Sequence, residues 1–462
     1  MRRVEATVKV GVEQNRKQGR TMSVSQQGKQ QAAHAVPAPI TRGGGWPGSR
    51  RLHVYGGALL FLEYFLLGMW WWGHHVLKNT TIPSPGWDLV VFWNAASLAV
   101  THGAAAAYDW ALLRAAEAAI LPPDIFGPFS YPPTFLLLIY PIGMLSFGAA
   151  TVVFSASGIA LYLGVLRSTL ASQQLPWLIP AVAFPGVWVT LVTGQNSLFT
   201  AAAAGAALVL LRRSPIAAGA CIAMLCIKPQ LGILFPLYLL CGRQWRALVS
   251  AAFFSVLILA VSWLAFGTDT FVAAAKSLAM FRHAIVENGG VILYGAPTVF
   301  GTLRSAGYST TMSYAVHAGV ATLVIAACIW LWRSTCRVEL RAASLPIATL
   351  MVQPYLIYYD LAWLALPMAW LTADFVRHGS SRFEKAVLLA AWLVPAQGLF
   401  AVLSRSTGQW APIVLVALLA VVVQRARAAQ RVIAPPETAD AATPPAAATG
   451  THAPNPAQGT PA

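Results

Sequence analysis

The chain has 462 residues, of which 57% are hydrophobic and only 10% charged, with 17 Trp. A soluble globular domain carries about a quarter charged residues, so this composition excludes one and points to an all-α, polytopic integral membrane protein. The net charge of +16 comes mostly from a basic N-terminal arm and from arginines at helix ends; with no basic-aromatic module present, it points to no nucleic-acid partner.

In chain order, residues 1–51 are polar and basic and read as a disordered cytoplasmic arm. Residues 52–431 form the membrane domain, and residues 432–462, rich in Pro and Ala, read as a disordered cytoplasmic tail. The first apolar run, 54–72, ends in Trp70-Trp71-Trp72, an interfacial anchor. It starts too far into the chain and is too long for a cleavable signal peptide. Cytoplasmic loops keep Lys and Arg, so this run crosses outward, and the cation-poor stretch 73–130 is external.

The next stretch, "YPPTFLLLIYPIGML" (131–145), carries three prolines, which disfavour a regular span; it reads as a re-entrant or interfacial segment. Crossings then follow at 151–166, 176–192 and 198–211, with a short pair at 215–227 and 231–241 and a span at 248–266. After an external segment, 267–313, come 314–332, 345–357, 361–371, 386–403 and 413–423. The total is about twelve crossings with both termini cytoplasmic.

Under this threading the polar motifs that interrupt the apolar runs all lie on the external face. Asp88, after Pro85-Gly86, suits an N-cap and equally a general base that accepts a proton from a hydroxyl. Lys228, in "CIAMLCIKPQLGILF", either snorkels to the interface or offers a cation to an anionic headgroup, with Pro229 breaking the helix around it. Gln195 and Asn196 follow Gly194 at the mouth of a helix pair, where Asn196 also suits a cap. Asp360, after Tyr358-Tyr359, suits a cap or a partner for a cation such as Lys228 or Arg282. In the amphipathic stretch "FVAAAKSLAMFRHAIVEN", Arg282 and His283 either belong to a solvated face or reach a lipid phosphate. The five cysteines read as core thiols, and His74-His75 lacks a third ligand, so no metal site is expected.

Taken in order, Asp88, Phe92-Trp93, Ala95-Ala96, Gly103, Tyr108-Asp109, "YPP" at Tyr131, "GQN" at Gly194, "KP" at Lys228 and "YYDLAWLALP" from Tyr358 resemble glycosyltransferase family 87. That family belongs to the GT-C type membrane enzymes that use polyprenol-phosphate sugars. The resemblance implies a plasma (inner) membrane enzyme with its site on the external, periplasmic face. It implies a polyprenyl-phosphate-linked hexose donor, often mannose, a glycolipid or glycan acceptor among membrane lipids, transfer with inversion, and neither cofactor nor metal. Asp88 matches the first-loop carboxylate taken as the base. Phe92 and Trp93 stand where many members carry tyrosines, which implies an aromatic wall rather than a hydroxyl role.

The chemistry asks for the same parts. In-line attack needs a base on one side and charge stabilisation of the leaving phosphate on the other. Asp88 suits the first, and Lys228, helped by Arg282 or His283, the second. Tyr131, Gln195, Asn196, Tyr359 and Asp360 complete the expected substrate-binding set. The competing reading is a transporter or flippase for a lipid-linked or small polar substrate. Transporters show repeated halves with polar breaks near the midplane, whereas here the halves are unlike and the polar residues gather at one face.

Overall fold

The computed structural model describes residues 49–79, 85–122, 126–170, 177–283 and 291–433. The terminal segments expected to be disordered therefore lie almost wholly outside the described residues.

In chain order, α1 (Ser49–His75) leads to α2 (Trp87–His102), α3 (Trp110–Glu117), α4 (Pro133–Ile139) and α5 (Phe147–Leu170). Then come α6 (Leu178–Val182), α7 (Pro185–Thr193), α8 (Ser197–Leu210), α9 (Pro215–Ala223) and α10 (Phe235–Cys241). The rest are α11 (Trp245–Phe281), α12 (Val299–Ser305), α13 (Thr310–Arg333), α14 (Val338–Val352), α15 (Ala365–His378), α16 (Arg382–Ser404) and α17 (Ala411–Ile433). No strand occurs among the described residues.

Six of these helices are long and apolar enough to cross a membrane: α1, α5, α11, α13, α16 and α17. Large side chains on them stay exposed, as with Leu264 at 76% and Ile413 at 75%. A stripe of that kind suits hydrocarbon rather than water. Helix α11 is broken at Gly267 (φ 72°), so its apolar first part and its later turns are separate helices in direction.

Of the other six expected crossings, four fall on shorter apolar segments, Leu178–Thr193, Ser197–Leu210, Pro215–Ile227 and Pro229–Cys241, and two fall near α14 and α15; Pro133–Met144, read as re-entrant, is short as well. At 1.5 Å per residue, the fourteen residues of α8 cover about 21 Å, short of a bilayer core of about 30 Å. The figure of twelve therefore rests on broken and short segments. Proline supplies the physical reason, since Pro133, Pro185, Pro215 and Pro229 each sit in the first turn of a short helical piece and could not continue a helix from the preceding residues.

The core is built on small residues and anchored aromatics. Ala201, Ala204 and Ala207 of α8 are buried, which lets neighbouring helices approach closely. The two largest fully buried rings, Trp332 and Trp363, each spend their one donor inside the bundle: Trp332 on Ser344 Oγ (2.8 Å) and Trp363 on Thr200 Oγ1 (2.9 Å).

At one end of α14 and α15 an ionic knot ties four segments. Asp374, with no exposed surface, meets Arg337 Nε at 2.7 Å and Arg425 Nε at 2.6 Å. Arg425 also reaches Glu384 at 2.7 Å and donates to the Gly379 carbonyl at 2.9 Å. Glu384 in turn completes a capping box with Ser381 at the start of α16. Removing Asp374 leaves two guanidinium groups facing a dry gap. We expect Asp374→Ala to destabilise the bundle by about 3 kcal/mol, at the lower end of the buried-pair range because Arg337 keeps some exposure. Thermal unfolding in detergent checks this; an unchanged Tm would mean the knot is ornamental.

Candidate active site

The opposite end of α14 and α15 holds the polar motifs. Helix α14 runs from beside Arg337 to Gln353, fifteen residues or about 22 Å. There, α2, α7 and the breaks around Lys228 and Asp360 converge.

Gly86, in the left-handed region (φ 82°), occupies the N-cap of α2, and its N–H donates to the Val192 carbonyl at 2.7 Å. The last turn of α7 is thereby pinned to the first turn of α2. Gly86, not Asp88, is therefore the N-cap, and Asp88 is the second helical residue, in the first turn of α2. Gly194 closes α7 with φ 76°; a Cβ there would lie 2.6 Å from Leu89 Cβ, so only glycine lets this turn pack against α2. That contact brings Gln195 beside Asp88, where its side chain favours the ionised carboxylate. Gln195 Oε1 accepts in turn from the Tyr131 hydroxyl at 3.0 Å.

Lys228 sits between two 3-10 turns, Met224–Ile227 and Pro229–Gly232, with a non-helical backbone (φ −147°, ψ 69°). Two bonds brace the break. Thr134 Oγ1 donates to the Cys226 carbonyl, and Gln353 Nε2 donates to the Gln230 carbonyl, both at 2.7 Å. Lys228 is 6% exposed, and its ammonium is held 2.6 Å from Asp360 Oδ1, which also accepts from Ser197 Oγ at 2.9 Å. The Tyr359 ring centroid lies 4.9 Å from Lys228 Nζ, close enough for a cation–π contribution.

A cavity of about 380 Å³ opens over these groups. Asp88, Tyr131, Gln195, Lys228, Tyr359 and Asp360 line its polar part, while Trp87, Phe92, Phe281, Phe300 and Tyr355 line an aromatic part. Asp88 is half-buried. Desolvation pushes its carboxyl up to about 6; the Gln195 hydrogen bond and the Lys228 charge pull the other way, and Asp360 adds to the rise. Burial raises the Tyr131 phenol well above its ordinary value, so it remains a hydroxyl donor at neutral pH.

What decides among chemistries for such a cavity is likeness to known proteins. Residues 129–354 match the model of glycosyltransferase family 87. The chain is of glycosyltransferase family 87 over that segment, just under half of its length. It is a membrane glycosyltransferase, with a sugar donor and an acceptor as its substrates. No curated protein and no solved structure matches it.

The family match carries Tyr131, Gln195 and Lys228 but ends before Asp360 and begins after Asp88. The fold itself joins those outlying carboxylates to the matched segment. Four of the residues expected to bind substrate do not line the cavity. The Trp93 indole donates to the Leu145 carbonyl at 2.9 Å and packs against Phe147. Asn196 is wholly buried at the N-cap position of α8. Arg282 and His283 are exposed at the end of α11, where Phe281 alone turns into the cavity. Glu287, from the same amphipathic stretch, lies outside the described residues.

Sequence reasoning missed Trp87, Ser197 and Tyr355. The clue for Trp87 was its place one residue before Asp88. Ser197 follows the GQN motif directly, one residue from the noted Asn196. Tyr355 lies in an irregular stretch with no periodic signal.

Proposed function

We propose that this glycosyltransferase moves a hexose, mannose in the first instance, from a polyprenyl-phosphate carrier to an acceptor hydroxyl, with inversion. The observation that carries the reading is the presence of Asp88 and Lys228 in one small cavity with Gln195 and Tyr131 between them. Asp88 takes the proton from the acceptor hydroxyl, whose oxygen bonds to the anomeric carbon. The bond from that carbon to the phosphate oxygen breaks, and its electrons leave with the phosphate beside Lys228. The charge in the cavity is conserved, because the phosphate gains a negative charge as Asp88 loses one. Asp360 and Ser197 hold Lys228 in place, so the ammonium is oriented before the phosphate arrives. The aromatic part of the cavity favours apolar surface near the reacting centre.

We place the site on the external face of the plasma membrane. The arginine knot at the far end of α14 and α15 supports this orientation, since cytoplasmic ends collect Arg and Lys.

The test is incubation of the purified protein with radiolabelled polyprenyl-phosphate-mannose and membrane lipids. A new mannosylated product is expected. Counterflow of the labelled carrier in proteoliposomes without any new glycosidic bond would favour transport instead. Use of another polyprenyl-phosphate hexose would correct the sugar alone.

A further inference from the structure

A third carboxylate stands beside the cavity, and the chemistry above does not use it. Glu117 ends α3 and is 1% exposed. Acidic residues number 15 in the whole chain, and a buried one is costly unless it performs a hydrogen-bonding task. Its task here is a single bond: Glu117 Oε2 accepts from the Gly127 backbone N–H at 3.0 Å. The other oxygen is buried without a hydrogen-bond partner among the described residues.

The segment it grips, Phe126–Gly127–Pro128, is a wall of the cavity. Helix α3 holds that wall at two further points. The Arg114 guanidinium lies 4.3 Å over the Phe126 ring, and the Trp110 ring meets Phe126 edge-on at 5.6 Å. The helix itself is fixed at its start by Asp109, whose carboxylate accepts from Ala111 and Leu112 N–H groups at 2.9 and 3.1 Å. On its other side the wall rests directly on α2. A Cβ on Gly127 would come within 2.6 Å of Val91 Cγ2, and Val91 lies three residues, almost one turn, beyond Asp88 and lines the same cavity.

We infer that Glu117 is a positioning residue for the acceptor: it sets where the Phe126–Pro128 wall stands against Asp88 and so how the acceptor hydroxyl meets the base. The inference rests on the reading of Asp88 as that base. Whatever touches the base is acceptor, while the donor phosphate belongs with Lys228; a wall packed one turn from Asp88 therefore bears on the acceptor first.

The test compares KM and kcat for each substrate in Glu117→Leu, which removes the acceptor oxygen, and Glu117→Gln, which keeps one at the same place. Loss of one well-made hydrogen bond at the wall is expected to raise acceptor KM about tenfold in Glu117→Leu while donor KM stays within about twofold. Glu117→Gln is expected to restore acceptor KM to near the starting value. Should Glu117→Leu fail to fold, Arg114→Leu on the exposed face of α3 carries the same test, with a smaller shift of about threefold in the same direction. Equal shifts in both KM values, a fall in kcat alone, or no change would overturn the inference. Its failure is separable from failure of the functional reading. An active Asp88→Asn enzyme removes the base, whereas an inactive one alongside an unmoved acceptor KM in the α3 variants removes only the role of Glu117.

Discussion

Asp88→Asn is expected to leave a correctly assembled protein whose transfer rate falls by about 10²–10⁴-fold, the usual contribution of a general base. The substitution is nearly isosteric and keeps a partner for Gln195, so expression and thermal stability should be close to those of the parent. What it removes is the capacity to take a proton. The same group predicts a pH dependence. Burial raises the Asp88 carboxyl to about 6, and only the ionised form accepts a proton. Hence kcat/KM should be level above that value and fall tenfold per unit as pH drops below it. Gln195→Ala removes a hydrogen bond that favours the ionised form, so the falling limb should move to higher pH. A profile flat from pH 5 to 8, or near-normal product formation by Asp88→Asn in isolated membranes, would take Asp88 out of the chemistry.

The parts of this site that were legible in the sequence are those where one residue violates its surroundings. Lys228 in an apolar run and Asp360 before another are each anomalous, and the sequence offers Asp360 either Lys228 or Arg282 as a cation; the fold pairs it with Lys228. Residues whose role depends on which way a helix turns were less legible. Along α2, positions 88, 91 and 92 fall within about one side of the helix and all three line the cavity. Trp93, five residues from Asp88, is rotated by about 140° at 100° per residue, and so packs outward on Phe147. Arg282 and His283 depend on phase in the same way: past the kink at Gly267, it is Phe281 at the end of α11 that lines the cavity, while these two are exposed. Glu117 had no signal at all, because its partner is a backbone N–H ten residues on in an irregular segment. The all-α membrane class was plain from run length and composition. The number of crossings was not, since a proline-broken run and a true span have the same hydropathy.

The Lys228–Asp360 pair offers the sharpest separation of structure from chemistry. Each charge is buried and each is the other's counter-ion at 2.6 Å. Lys228→Met leaves Asp360 and Ser197 facing each other without the ammonium, and Asp360→Asn leaves an ammonium in the same dry place without a counter-charge. Either change is expected to cost about 3–5 kcal/mol of stability, the usual result of stripping one partner from a buried pair. Both should also lose transfer by at least about 10²-fold, comparable to removing a preorganised electrostatic donor from a reacting centre. The deciding variant is the double one, Lys228→Met with Asp360→Leu. Replacing both charges by apolar groups of similar volume removes the unpaired group and is often neutral or better for stability, so Tm should recover most of what the single variants lost. Transfer should not recover, because nothing in the cavity then meets the charge that develops on the leaving phosphate. The remaining activity should show a raised KM for the polyprenyl-phosphate donor and an unaltered one for the acceptor. If transfer returned together with Tm, the pair would be a structural bolt between the break at Lys228 and the break at Asp360, and the leaving phosphate would have to be met by some other group.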